Sequence, residues 1–124
     1  MRLSALVLGI FILIWLPFED TNENIVVVIA TAICVWFAVR YLLSPAPLHQ
    51  SPWFRHLYAG VVAGLSITPV ALLLMVFKLG LHGHETPDFS PFQMARIVEL
   101  TPLWGTAGLL IGIGTGWWRA ARTK

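Results

Sequence analysis

The stretch Gly108-Leu109-Leu110-Ile111-Gly112-Ile113-Gly114-Thr115-Gly116 decides how the chain is read. Gly108, Gly112 and Gly116 recur at every fourth position, which places them on one face of a helix. No charged residue occurs from Leu103 to Trp118. In water this would be a poor helix, because an interior glycine costs about 0.8–1 kcal/mol relative to alanine. In lipid the backbone must satisfy its own hydrogen bonds, so the segment stays helical, and its bare face admits another helix at close range. The stretch predicts a packing surface inside a membrane, of the glycine-zipper kind.

Composition points the same way. The chain is 57% hydrophobic and 11% charged, with a mean hydropathy of +0.77. A soluble domain carries about 25% charged residues, so this one has too few to coat a globular surface. Its 124 residues suit one domain. The net charge of +2 comes from basic residues scattered singly until the C-terminus. They form no stripe interleaved with aromatics, so a nucleic-acid partner is not expected. Cys34 is the sole cysteine, which rules out an intrachain disulfide and an all-cysteine metal site.

Three further apolar runs upstream complete the expected fold, an all-α integral membrane protein with four transmembrane helices. The spans are read at residues 3–18, 25–43, 57–79 and 103–118. The first follows Arg2 as a signal peptide would, but Pro17-Phe18-Glu19-Asp20-Thr21-Asn22-Glu23 offers no small residues for cleavage. It is therefore read as an uncleaved span, about 24 Å long against a hydrocarbon core of about 30 Å. Prolines between Ser44 and Pro52 separate the second and third spans. Pro69 predicts a kink in the third, with Thr68 placed to bond a freed carbonyl. Ser90-Pro91-Phe92-Gln93 has the N-cap, N1 and N3 residues of a helix start. A short amphipathic helix over 91–100 is expected to lie at the membrane surface, where Arg96 and Glu99 stand three apart and can pair. Pro102 restarts the chain into the last span.

Charge sets the orientation. All six acidic residues (Glu19, Asp20, Glu23, Glu85, Asp88, Glu99) fall in the first and third connections. Of the eight basic residues, only Lys78 and Arg96 share that side, and six flank the other. By the positive-inside rule both termini face the cytoplasm of a cell-membrane protein. Small residues at four-residue spacing recur in each span: Ala5 and Gly9, then Ala30, Cys34 and Ala38, then Gly60 and Gly64. Gly60 and Gly64, with Gly108, Gly112 and Gly116, are the expected helix-packing residues.

Ionisable groups at membrane depth mark function because burying them is expensive. The four spans carry none away from their ends, which argues against proton-coupled transport, voltage sensing and haem ligation between helices. The richest chemical cluster is His82-Gly83-His84-Glu85-Thr86-Pro87-Asp88, with four donors (His82, His84, Glu85, Asp88) that suit zinc or copper. The plainer reading of that segment is a polar, glycine-containing loop whose histidines sit at the interface or cap the third helix. No nucleophile elbow or phosphate-binding loop is present, and no catalytic role or cofactor is assigned.

The expected function is that of a non-catalytic multi-pass membrane protein. It would act as an accessory or assembly subunit packing within a larger complex, of which respiratory and photosynthetic assemblies are examples. Its partners are then the lipid bilayer and other membrane subunits. One alternative is a small homo-oligomeric channel or carrier, lined by Thr68, Thr106 and Thr115 beside the Pro69 kink. A second is an outward-facing metal-binding protein using the His82/His84 loop.

Overall fold

A computed structural model describes residues 2–16, 22–45, 51–82 and 89–122. Every regular element among them is a helix: α1 (Arg2–Trp15), α2 (Glu23–Leu43), α3 (Pro52–His82), α4 (Pro91–Glu99) and α5 (Thr101–Arg122). Three stretches are long and apolar enough to cross a membrane, namely Glu23–Leu43, Pro52–Leu81 and Pro91–Arg122. The 14 residues of α1 reach only about 21 Å at helical rise.

Local chemistry explains the boundaries. Asn22 caps α2, its side chain accepting the Asn24 N–H at 3.0 Å. Glu23 in the first turn complements the helix dipole. At the other end the Ser44 N–H closes onto the Arg40 and Tyr41 carbonyls, and Pro45 prevents continuation. Helix α3 opens on Pro52, which tolerates the first helical position because its missing N–H would be unpartnered there anyway. It therefore begins five residues before the predicted span and takes in Trp53, Phe54 and Arg55. Its 31 residues measure about 46 Å, so both ends project beyond a hydrocarbon core.

The capping box of α4 forms as the sequence predicts. The Gln93 N–H donates to Ser90 Oγ at 3.3 Å, and the Ser90 N–H donates to Gln93 Oε1 at 2.8 Å. Only Leu100 separates α4 from α5. Pro102 has no N–H to offer the Val98 carbonyl, and the Thr101 hydroxyl donates to it instead at 2.6 Å. Helical bonding resumes at once with Trp104 N–H to Leu100 carbonyl at 3.1 Å. Arg96 forms its ion pair with Glu23 of α2 at 3.1 Å rather than with Glu99. That pair ties α4 to the start of α2.

Helix α3 is the hub, with α5 along much of its length and α2 along another face. The contact with α5 is antiparallel and made by backbone. Gly60 meets Gly108 and Gly112, Gly64 meets Trp104 and Gly108, and Gly112 meets His56 and Leu57. A Cβ at Gly112 would stand 2.8 Å from the His56 carbonyl oxygen, and one at Gly64 would stand 3.2 Å from Gly108 Cα. Gly116 closes the row against Trp53. Such approach permits Cα–H···O contacts between helices, and in lipid it supplies the dispersion that holds them together. By contrast, a Cβ on Gly9, Gly80 or Gly114 would meet nothing within 4 Å.

The side-chain core lies toward the other end of α3. Trp15, Leu16, Val26, Ile29, Ala30, Ile67, Ala71, Met75, Phe89 and Ile97 are all buried there. They come from the end of α1, the first half of α2, the second half of α3, and α4 with the residue leading into it. The first half of α3 is thus packed through glycine backbone and the second through interlocking side chains.

Candidate functional site

Among the described residues, the most deeply buried charged side chain is that of Lys78. The sequence puts it at the end of the third span, and α3 runs four residues beyond it to His82. Lys78 is 0% exposed. It continues the face of Ile67, Ala71 and Met75, at spacings of 4, 4 and 3 residues, all of them buried. Its ammonium lies 4.4 Å from the centre of the Trp15 ring and 5.8 Å from that of Phe89. A cation over an indole face is attracted by the ring quadrupole, more strongly when water is excluded. The Trp15 Nε1–H of the same cage is buried with no hydrogen-bond partner. A charged nitrogen and an unfilled indole donor are thereby gathered where α1, α3 and the lead into α4 meet. The repeat of that buried face was the available signal, and the nearness of Lys78 to a polar loop masked it.

A second basic residue is buried near the opposite end of α3. Arg55 Nη2 donates to the carbonyls of Tyr41 at 2.7 Å and Ser44 at 3.0 Å, and its guanidinium lies 5.2 Å from the Tyr41 ring centre. These carbonyls belong to the last turn and C-cap of α2, where the dipole is negative, and that of Tyr41 also accepts the Ser44 N–H. Arg55→Ala is expected to cost about 1.5–3 kcal/mol, the range for hydrogen bonds to a charged group. Unfolding by SDS titration in mixed micelles measures it, and Arg55→Lys is expected to recover only part because it loses the planar fork.

Between α2 and α3 runs an apolar groove of about 400 Å³, with Cys34, Ala38, Ala59 and Ala63 at its floor and sides and Phe37 and Tyr58 among its bulkier walls. Its small side chains leave the space that the large ones border.

The other expected site residues are distributed as follows. Thr68 does not bond a carbonyl freed by Pro69; its hydroxyl pairs with Thr101 Oγ1 at 2.9 Å. Thr101 gives its one proton to Val98, so Thr68 is the donor. Two Thr-Pro steps, Thr68-Pro69 and Thr101-Pro102, are thus joined across α3 and α5. Thr106 bonds back to the Leu103 carbonyl at 2.9 Å and Thr115 to that of Ile111 at 2.8 Å, each on its own helix. His84, Glu85 and Asp88 lie outside the described residues, as does the side chain of His82. Among the described residues no group of three or more His, Cys, Asp and Glu is placed to hold a metal. No protein-family model, curated protein or solved structure matches the chain.

Proposed function

We propose that the chain is a non-catalytic accessory or assembly subunit of a larger membrane complex, with α1 as a short fourth span and both termini cytoplasmic. The observation that carries this reading is the state of α1. Leu3, Leu6, Val7, Ile10, Phe11, Leu13 and Ile14 are each more than half exposed. Near its start the helix is held by the Trp36 Nε1–Ser4 Oγ bond at 3.3 Å, and toward its end by Ile12 and Trp15, which pack on the core. An apolar helix too short for the bilayer relieves the mismatch by thinning the lipid or by packing against other proteins. Its bare surface supports the second course.

Purification of the tagged full chain from its source membrane in mild detergent, with mass spectrometry of what accompanies it, tests the reading. A larger membrane protein in fixed stoichiometry is the expected result. The chain alone, or only with copies of itself, overturns it in favour of the homo-oligomeric channel or carrier. Orientation has its own test. Cysteine introduced at Ser51 should react with an impermeant maleimide only in opened cells, and cysteine at Glu99 should react in intact ones. The reverse pattern would place the termini outside.

A further inference from the structure

The basic end of the α3–α5 pair carries a second feature, independent of any protein partner. A pocket of about 110 Å³ is bounded by Leu42, Pro52, Arg55, His56 and Arg119. It shares His56 and Arg119 with a wider hollow of about 460 Å³ that also takes in Thr115, Trp118 and Arg122. Arg55 from the start of α3, and Arg119 and Arg122 from the end of α5, therefore line two adjoining hollows, with Arg119 common to both. The sequence has no Asp or Glu from Asn24 to His84 or from Leu100 to Lys124, so the charged side chains of these stretches are all basic.

Two details show more than a solvated basic surface. Arg55 is only 8% exposed, and although Nη2 is engaged by α2, its Nε–H is buried with no hydrogen-bond partner. Arg122 lies over the Trp118 ring, its Cζ 4.5 Å from the centroid, a cation–π contact that holds the side chain beside the hollow. His56 contributes a wall rather than a donor here. The Pro52 carbonyl at 2.8 Å can only accept, so Nδ1–H is directed to it.

We propose that Arg55, Arg119 and Arg122 bind a phosphate group. Guanidinium forks match the tetrahedral oxygens of phosphate and make charge-assisted bonds to them. Basic pockets between transmembrane helices near the bilayer surface are suited to anionic headgroups. The group is carried by an anionic phospholipid or by a soluble phosphoryl compound, and the test separates the two.

The full chain is reconstituted in phosphatidylcholine nanodiscs with and without a minor fraction of phosphatidylglycerol, released in mild detergent, and assayed by native mass spectrometry for retained lipid. The expected result is preferential retention of phosphatidylglycerol and roughly 30-fold weaker retention by R119Q/R122Q, the effect of removing two basic residues near an anionic headgroup. Both positions are exposed, so the variant should unfold at the parent's SDS fraction; if it does not, R122Q alone replaces it. Inorganic phosphate that leaves the retained lipid in place assigns the site to the headgroup. Displacement of the lipid by inorganic phosphate keeps the site and assigns its source to solution. Equal retention of both lipids by the parent, or of phosphatidylglycerol by parent and variant alike, overturns the proposal.

Discussion

Gly108→Leu is expected to lower the stability of the folded chain by more than about 3 kcal/mol, beyond the usual range for an overpacked site. The cost is high because nothing opposite Gly108 is able to yield. A Cβ there would press on the Gly60 carbonyl and stand 3.0 Å from Gly64 Cα, so every nearest neighbour is backbone. A flexible side chain turns aside, whereas a helix backbone moves only as a unit. Gly114→Ala, six residues further along the same helix and off the contact row, supplies the contrast. Its Cβ would enter open space, and alanine is the better helix former by about 1 kcal/mol. SDS titration in mixed micelles, followed by tryptophan emission, reads both changes, because Trp53 and Trp104 border the two ends of the row. A parental midpoint for Gly108→Leu would show that α3 and α5 do not meet as described. The contact lies within one chain, so the loss is expected in isolated protein, before any partner is added.

Lys78→Ala should produce the second large effect, about 3–5 kcal/mol. Truncating a long, fully buried side chain leaves a cavity costing about 2–5 kcal/mol where the surroundings do not collapse. Loss of the cation from the Trp15 face adds about 1–2 kcal/mol. Lys78→Met keeps most of the volume and removes the charge, so it should fall between parent and Lys78→Ala. Trp15→Leu tests the same contact from the other side. In a double-mutant cycle with Lys78→Met, its effect should be non-additive by about 1 kcal/mol or more. Additivity would mean that the ammonium and the indole do not interact.

The long apolar helices were legible because hydropathy and proline placement act locally. The capping box at Ser90 was equally plain, since its two hydrogen bonds span three residues. Boundaries drifted where the hydrophobic pattern ended before the backbone did. Pro52 can begin a helix as well as interrupt a loop, so Trp53, Phe54 and Arg55 joined α3. At the far end α3 runs past residue 79 to His82, which sets Lys78 a full turn inside the helix. The glycine row announced a close helix contact without naming the neighbour, and the pairing of Gly60 and Gly64 with Gly108 and Gly112 needed the three-dimensional arrangement. Arg55 over the end of α2, and Arg96 against Glu23 instead of Glu99, join segments far apart in the chain. No spacing rule within one helix reveals such partners.

The central position of α3 also dictates an order of events during synthesis. Chains emerge N-terminus first, and helices enter the bilayer before they pack. The contacts of α2 with α3 become available as soon as α3 has been made, and Arg55 can then close the end of α2. The bare backbone of Gly60 and Gly64 stays uncovered until roughly fifty further residues have been translated and α5 arrives. For that interval the nascent chain displays a surface that fits any small-residue helix nearby, its own successor or a stranger. With Leu100 alone between α4 and α5, the correct helix follows directly, so proximity on the growing chain gives α5 the first opportunity to occupy it.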